Sequence, residues 1–263
     1  MAIVEHDGAT LHFEVEGSGP PLLLIMGLGY PMDAWWRVLP WLREHFTCIR
    51  FDNRGVGRTG ATAERPYSVE RMAADALAVM GAADADRAHV WGISMGGAIA
   101  QEFAITQPQA VDRLVLGCTH PGGSDAVFAD EVRALLGNRA GIGAREAAEV
   151  SVPFVYAEAT DARLIEADID VRMSIPTTPE GYEGQLLGAS AWTGSGGRLG
   201  EITAPTLVVH GAADRLVDPV NGRFVAERIP AAEWVELPGA SHIFWTDQPE
   251  LTRQVVLEFL MRG

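Results

Sequence analysis

A serine lies at a glycine-rich corner of the sequence, within residues 88–101. The mostly apolar run AHVWGI before it is typical of a buried strand, and MGGAIAQEFAITQ after it predicts a helix. Gly92 and Gly96 stand two residues to either side of Ser94, which matches G-x-S-x-G, the pattern of a serine held on a strained strand-to-helix turn. A Cβ at either glycine would collide with neighbouring backbone in so tight a turn. The spacing predicts an exposed, nucleophilic hydroxyl at the positive end of a helix dipole.

A serine nucleophile requires a base, and His242 is the predicted base among the seven histidines. It lies in LPGASHIFW, in a loop after the last predicted strand, from which an imidazole can reach the edge of a sheet. His120 follows an earlier strand and is placed to border the site. His210 ends another strand and is expected to be structural.

The base in turn needs an acid that orients it, and Asp214 is the predicted acid. It follows the apolar strand in LVVHGAADRLVDP, between the serine and the histidine in the chain. Asp218 is the alternative acid, although its neighbour Pro219 favours a role in capping or starting the next helix.

Two backbone N–H groups are needed to stabilise the negative oxygen that forms when a serine attacks a carbonyl. The N–H of Met95, the residue after the nucleophile, is the first candidate. The turn after the early apolar strand PLLLIMG should supply the second, and Gly27 lets the chain bend there, so the predicted donor is the N–H of Leu28. The alternative is that Gly27 and Gly29 only turn the chain.

Apolar strand-like runs alternate with helical patterns over most of the chain, which predicts an α/β fold with a mostly parallel central sheet flanked by helices. The alternation lapses over residues 121–198, where helical segments occur without a convincing strand. We therefore expect residues 1–120 and 199–263 to form the core and residues 121–198 to form an inserted helical lid over the carboxyl ends of the strands. A decorative subdomain is the alternative reading of the insertion.

The insertion contains three aromatic residues that are candidates for the wall of a substrate pocket: Phe154, Tyr156 and Trp192. The alternative is that they only pack the lid on the core. The run TGSGGR, which closes the insertion, predicts a flexible hinge.

The composition restricts the possible partners. The formal net charge is −15, and an acidic surface repels phosphate backbones, so nucleic acid is not an expected partner. No basic leader is present, and the apolar run PPLLLIMGLG is much shorter than the ~20 residues of a membrane span. These features predict a soluble, cytoplasmic protein that acts on a small molecule without a membrane, and they leave the oligomeric state open.

No cofactor or metal is expected. Residues 55–60, GVGRTG, fit the dinucleotide pattern G-x-G-x-x-G, but Pro66 and the polar run before the next helix do not fit its strand-to-helix setting. We expect a turn there, braced by Asp52 and Arg54. Cys48 and Cys118 lie in apolar runs and are expected to be reduced core residues.

The motifs LLLIMGLG, FDNRGVGRTG, GISMGG, PTLVVHGAAD and PGASH together make the chain resemble the α/β-hydrolase superfamily along nearly its whole length. Within it, the chain is similar to small lidded esterases and lactonases, such as beta-ketoadipate enol-lactone hydrolases and aclacinomycin-type methylesterases. The chain order Ser94, Asp214, His242 is the serine–acid–histidine order of this superfamily. Two positions depart from the family pattern, because Met26 replaces a common histidine before Gly27 and Ser241 replaces a common glycine before His242.

The resemblance implies that the chain is a serine hydrolase that cleaves a carboxylic ester or lactone of a small, partly apolar molecule through an acyl-enzyme. The same triad also serves C–C bond hydrolases, hydroxynitrile lyases and cofactor-free perhydrolases, which are the alternative enzymes. A non-catalytic ligand-binding protein on this fold is the alternative outside enzymes.

Overall fold

The computed structural model describes residues 1–262. In these residues one sheet contains eight strands, which are β1 (Ala2–His6), β2 (Ala9–Gly17), β3 (Pro21–Ile25), β4 (Thr47–Phe51), β5 (Ala88–Ile93), β6 (Val111–Gly117), β7 (Thr206–Gly211) and β8 (Glu233–Leu237). The α-helices of the same residues are α1 (Leu39–Leu42), α2 (Val69–Ala82), α3 (Met95–Thr106), α4 (Asp130–Asn138), α5 (Ala144–Glu149), α6 (Val152–Val155), α7 (Ala162–Met173), α8 (Pro179–Ala191), α9 (Pro219–Arg228), α10 (Phe244–Asp247) and α11 (Pro249–Leu260). Within residues 1–262, every helix is too short or too polar to cross a membrane.

The strand order across the sheet is β1-β2-β4-β3-β5-β6-β7-β8. Strand β2 pairs antiparallel with both β1 and β4, and the remaining neighbours pair in parallel. Every residue of β5 and β7 is buried, as expected for central strands that helices cover on both faces. The mostly parallel sheet flanked by helices confirms the predicted α/β-hydrolase fold.

Local sequence explains how the helices beside the central strands begin. Helix α2 starts where the hydroxyl of Ser68 accepts a hydrogen bond from the backbone N–H of Arg71, which is an N-cap. Helix α3 starts directly after β5 and is buried along ten of its twelve residues. Because α3 packs against α2 and against strands β3, β5 and β6, its first turn is held at the carboxyl end of β5.

Between β6 and β7 the described chain forms helices α4 to α8 and short 3-10 turns, without a strand. Both ends of this insertion are fixed to α3 through Gln101. The Nε2 of Gln101 donates to the carbonyl of His120, and its Oε1 accepts from the hydroxyl of Ser195. Ser195 is fully buried and also donates its backbone N–H to the carbonyl of Pro121. The centre of the predicted hinge TGSGGR is thus anchored, because its serine bonds both the incoming chain and the core.

Candidate active site

Ser94 lies on the turn between β5 and α3, with φ 57° and ψ −123°. This left-handed conformation is strained for a residue with a side chain, and such strain persists only where the surroundings hold it. The N–H of Ser94 donates to the carbonyl of Gly117 at 2.9 Å. The hydroxyl of Thr119 donates to the Ser94 carbonyl at 2.8 Å. The end of β6 therefore clamps the turn on both sides of the serine.

Two glycines make the turn possible. A Cβ built at Gly92 would lie 2.2 Å from the carbonyl oxygen of Gly96, and one built at Gly96 would lie 2.2 Å from the carbonyl oxygen of Ile25. Both obstacles are backbone atoms, which cannot rotate away. A side chain at either position would therefore collide with backbone, as predicted. Because both residues are glycines, the start of α3 can pack closely against the end of β3.

His242 and Asp214 are joined by a hydrogen bond of 2.8 Å between the imidazole Nδ1 and the carboxylate Oδ2. The other carboxylate oxygen accepts the backbone N–H groups of Leu216 and Val217, both at 2.9 Å. Burial alone would raise the pKa of Asp214, but the charge of His242, its hydrogen bond and the nearby imidazole of His210 outweigh it and hold the pKa well below its usual range. The acid is therefore ionised and fixed, and it fixes His242 in turn.

Cys118, His210 and Asp214 form a buried group whose potential metal-ligand atoms lie within 4.8 Å of one another. Burial raises the pKa of the Cys118 thiol well above its usual range, so the sulfur is protonated. Both Asp214 oxygens already accept hydrogen bonds, and the Nε2 of His210 donates to the carbonyl of Val217 at 2.8 Å. A metal requires a thiolate and free lone pairs. The arrangement fits a hydrogen-bonded support for Asp214 rather than a metal centre.

A cavity of about 510 Å³ opens above the carboxyl ends of the central strands. Ser94, His242, Leu28 and Met95 all line it. In residues 1–262 the backbone N–H groups of Leu28 and Met95 donate no hydrogen bond, so both donors are available to a ligand. The structure thus brings the five predicted site residues together, with Asp214 directly behind His242.

The turn that presents Leu28 is a β-turn over residues 27–30, closed by a hydrogen bond from the Tyr30 N–H to the Gly27 carbonyl. Gly29 has φ 73°, which the third position of a type II turn requires. Gln185 of α8 is fully buried, and its Oε1 accepts the Gly29 N–H at 2.8 Å. Its Nε2 donates to the carbonyl of Arg54 at 2.7 Å. Sequence reasoning missed Gln185, because α8 shows no pattern that points a glutamine at this turn.

The three aromatic residues predicted for the pocket wall differ in whether they line the cavity. Trp192 lines the cavity, whereas Phe154 and Tyr156 do not, and the prediction for these two residues is wrong. The residue between them, Val155, faces the cavity instead. The hydroxyl of Tyr156 turns away to donate to Asp168 at 3.2 Å.

The structure also places the remaining histidine, acid and cysteine candidates. His120 lines the cavity, as predicted, and burial, together with the charge of His242, lowers its pKa to about 4. Asp218 caps α9 by accepting the Val220 N–H, so the capping role proposed for it is confirmed. Cys48 and Cys118 are buried and free, as expected.

The run GVGRTG forms turns and no helix begins before α2 in this part of the described chain. The buried carboxylate of Asp52 accepts the backbone N–H groups of Met32 and Arg58 and so braces the run, as predicted. Arg54 bonds Asp75 instead, at 2.5 and 2.7 Å.

The unusual serine before His242 connects the histidine loop to the insertion. The Ser241 hydroxyl donates to the carbonyl of Phe154 at 3.3 Å, and its N–H donates to the carboxylate of Asp247 at 2.7 Å. A glycine would lack the first of these bonds.

Comparison with known proteins places the chain in a family. A family model described as alpha/beta hydrolase fold matches residues 20–248. An Agrobacterium fabrum protein named "Putative carbamate hydrolase RutD" is 29% identical over 260 residues, which cover 95% of this chain and 98% of that protein. A Mycobacterium tuberculosis protein named "Putative non-heme bromoperoxidase BpoC" is 30% identical over 270 residues, which cover 95% of this chain and 97% of that protein. The solved structure of the enol-lactonase from Burkholderia xenovorans LB400 has a TM-score of 0.89 at 25% identity and covers 99% of this chain and 100% of that chain. The chain belongs to the alpha/beta hydrolase family.

Proposed function

We propose that the protein is a serine hydrolase that cleaves a carboxylic ester or lactone of a small molecule through an acyl-enzyme. The observation that carries the proposal is the joint placement of Ser94 and the Asp214-bound His242 on one cavity, with the free N–H groups of Leu28 and Met95 beside them. These are the nucleophile, the base with its orienting acid, and the oxyanion donors that acyl transfer requires.

The proposed reaction begins when the Ser94 Oγ attacks the substrate carbonyl carbon. Because His242 Nδ1 is bonded to Asp214, Nε2 is the nitrogen that takes the serine proton. The negative oxygen of the tetrahedral intermediate accepts the N–H groups of Leu28 and Met95, which the helix dipole of α3 reinforces. His242 then protonates the leaving alcohol, which departs from an ester and stays attached by the acyl chain in a lactone.

Deacylation repeats these roles with water. His242 removes a proton from a water molecule, the resulting hydroxide attacks the acyl carbon, and the same two N–H groups hold the second oxyanion. Collapse of this intermediate returns the proton to Ser94 and releases the carboxylic acid. Asp214 stays ionised throughout, which its low pKa favours.

The test combines active-site labelling with turnover. A fluorophosphonate should add to Ser94, as read by peptide mass, and the protein should hydrolyse para-nitrophenyl esters or lactones. Ser94→Ala should abolish the labelling and lower kcat by about 10⁴-fold or more while the protein folds normally. Ser190→Ala is the matched control, because Ser190 lines the same cavity from α8. Normal labelling or turnover in Ser94→Ala would refute the proposal.

We also assign residues 121–198 as a cap and residues 1–120 and 199–263 as the hydrolase core. The cavity supports this division, since Leu136, Leu186 and Trp192 of the insertion face Ser94 and His242 of the core. Narrowing the cavity from the cap side with Leu136→Trp should shift the preferred para-nitrophenyl ester to a shorter acyl chain. An unchanged chain-length profile would argue against the cap as a determinant of substrate size.

A second candidate function is perhydrolysis, which the similarity to the protein named a non-heme bromoperoxidase favours. Hydrogen peroxide would replace water as the attacking group on the acyl-enzyme, and the product would be a peracid. Incubation with an ester and hydrogen peroxide, followed by titration of peracid, tests it. Peracid formation no faster in wild type than in Ser94→Ala would exclude this activity.

A further inference from the structure

Two arginines of the insertion lie buried near the cavity. Arg139 follows α4 and lines the cavity, and Arg172 lies in the last turn of α7. Each is 6% exposed. A Cβ built at Gly29 would lie 2.9 Å from Tyr182 Cδ2 and 3.7 Å from Arg172 Nη2, and the guanidinium group of Arg139 lies over the same Tyr182 ring, so both arginines border one region. Burial lowers the pKa of Arg172, and the positive charge of Arg139 adds to the shift.

Neither arginine has an anionic partner in the described chain. The Nε and Nη2 atoms of Arg139 are buried without a hydrogen-bond acceptor in residues 1–262. Arg172 donates no side-chain hydrogen bond there, and the ion pairs of the described residues include neither arginine. Burying an unpaired charge is costly, and burying two adjacent like charges costs more. A bound anion would remove that cost.

Aromatic rings fix the orientation of both guanidinium groups. The Cζ of Arg172 lies 4.2 Å from the centre of the Tyr30 ring, and the Cζ of Arg139 lies 4.9 Å from the centre of the Tyr182 ring. A cation–π contact uses the face of a guanidinium group and leaves its N–H donors in the plane free. Two or more such donors in a rigid fork match the two oxygens of a carboxylate.

The charge of the cavity wall is opposite to that of the whole chain. The chain has 35 acidic and 20 basic residues, yet the cavity lining in residues 1–262 includes no Asp or Glu and includes Arg133 and Arg139. Because the side chains of the described chain that line the wall include arginines and no carboxylates, the local electrostatic field there is positive although the whole chain is acidic.

The turn over residues 27–30 connects this positive region to the serine. A Cβ built at Gly27 would lie 3.0 Å from the Ser94 Cβ, while Tyr30 at the other end of the turn contacts Arg172. The Cα atoms at the two ends of a β-turn are less than about 7 Å apart. A small molecule can therefore place its carbonyl at Ser94 and a second group near the arginines at once.

We propose that Arg139, supported by the charge of Arg172, binds a carboxylate of the substrate, so that the ester or lactone cleaved at Ser94 is itself an anion. The inference rests on the proposed function and narrows its substrate class to carboxylate-bearing esters and lactones.

Matched substrate pairs test the proposal. Para-nitrophenyl hydrogen glutarate against para-nitrophenyl pentanoate places the carboxylate on the acyl side, and para-acetoxybenzoate against para-tolyl acetate places it on the alcohol side. In wild type kcat/KM should favour the charged member of one pair. Arg139→Gln should lower this charged-to-neutral ratio by about 10- to 100-fold, as expected for a hydrogen bond between charged groups. Arg172→Gln should lower it less.

Two further variants complete the test. Arg139→Lys keeps the positive charge but lacks the paired guanidinium N–H donors, so it should give an intermediate ratio. It replaces Arg139→Gln in the test if that variant fails to fold. Arg163→Gln removes an equal charge from the exposed side of α7 and should leave the ratio unchanged. If the Arg139 substitutions leave the charged-to-neutral ratio of kcat/KM unchanged in both substrate pairs, the proposal is overturned.

Binding separates failure of this inference from failure of the proposed function. In calorimetry, glutarate should bind the Ser94→Ala variant, and its affinity should drop by about tenfold or more in the Ser94→Ala, Arg139→Gln double variant. Neutral glutaramide should bind the Ser94→Ala variant no more tightly than glutarate binds the double variant. Hydrolysis of esters without any preference for charge, together with no glutarate binding, would refute the carboxylate site alone. Arginine-dependent glutarate binding without hydrolysis of any ester or lactone would refute the proposed function alone.

Discussion

The Nε2 of His210 lies 3.3 Å from Asp214 Oδ2, the same oxygen that accepts the hydrogen bond from His242 Nδ1. One carboxylate oxygen thus lies between two imidazoles, and the other accepts two backbone N–H groups. His210 is completely buried and its Nε2 also donates to the carbonyl of Val217. The residue that sequence reasoning expects to be structural therefore contributes directly to the position and charge of the acid.

Asp214→Asn should lower kcat about 10⁴-fold, because an amide cannot hold His242 in the tautomer that leaves Nε2 free to accept a proton. It should also lower the free energy of unfolding, since the carboxylate accepts three N–H hydrogen bonds and lies 3.3 Å from the Nε2 of His210. Steady-state kinetics and urea unfolding measure both effects. Asp218→Asn is the matched control, because asparagine caps a helix as well as aspartate does and α9 should be retained. Comparable losses of kcat in both variants would contradict the assignment of the acid.

Gln185→Met should lower kcat by about tenfold with a smaller change in KM, because the N–H of Gly29 loses its acceptor and the turn that presents Leu28 loosens. The buried Gly29 N–H and Arg54 carbonyl would each be left unpaired, at a cost of about 1–3 kcal/mol of unfolding free energy. Asn221→Leu is the control, since Asn221 is also buried and bonds both the N–H and the carbonyl of Val127 in the insertion, and neither residue lines the cavity. If both variants lose stability and kcat in proportion, Gln185 does not position the oxyanion donor.

Gly92→Ala should destabilise the fold by about 2 kcal/mol or more, because the new methyl group meets the Gly96 carbonyl oxygen at 2.2 Å and only a shift of backbone could relieve it. The shift would also displace Ser94, so activity should fall with stability. Thermal unfolding and ester hydrolysis measure the two effects. Gly81→Ala on α2 has no heavy atom within 4 Å of its new Cβ and should stabilise the protein by about 0.5 kcal/mol. Equal changes of melting temperature in the two variants would contradict the steric explanation of the turn.

The parts of the site that sequence predicts are those with a local signal. The flanking glycines of Ser94 and the strand-end positions of Asp214 and His242 are visible in short windows, because a parallel sheet brings the carboxyl ends of its strands to one edge. The capping role of Asp218 was likewise visible from Pro219 next to it. The chemical roles of these residues stay predictions until the variants are measured.

The parts that sequence does not predict depend on how the insertion packs. Arg139, Arg172 and Gln185 lie on helices or turns whose inward faces are set by contacts with distant segments, such as Gly29 and the rings of Tyr30 and Tyr182. The same reason explains the error at Tyr156, whose hydroxyl bonds Asp168 across the insertion. Aromatic side chains in a one-turn helix such as α6 give no period from which an inward face can be inferred.

His120 should make the protein less stable as the pH falls from about 6.5 to about 4. Burial lowers its pKa from 6.5 to about 4, so between these two pH values the unfolded chain binds a proton that the folded chain does not. The resulting loss of stability is absent above the unfolded pKa of 6.5, where neither state binds the proton. The free energy of unfolding from urea titrations at about pH 7.5 and about pH 4.5 should therefore differ less in His120→Gln than in wild type, by on the order of 2 kcal/mol. Ser190→Ala changes the same cavity without removing a titrating group and should keep the wild-type difference. If His120→Gln keeps that difference too, another group causes the loss of stability in acid.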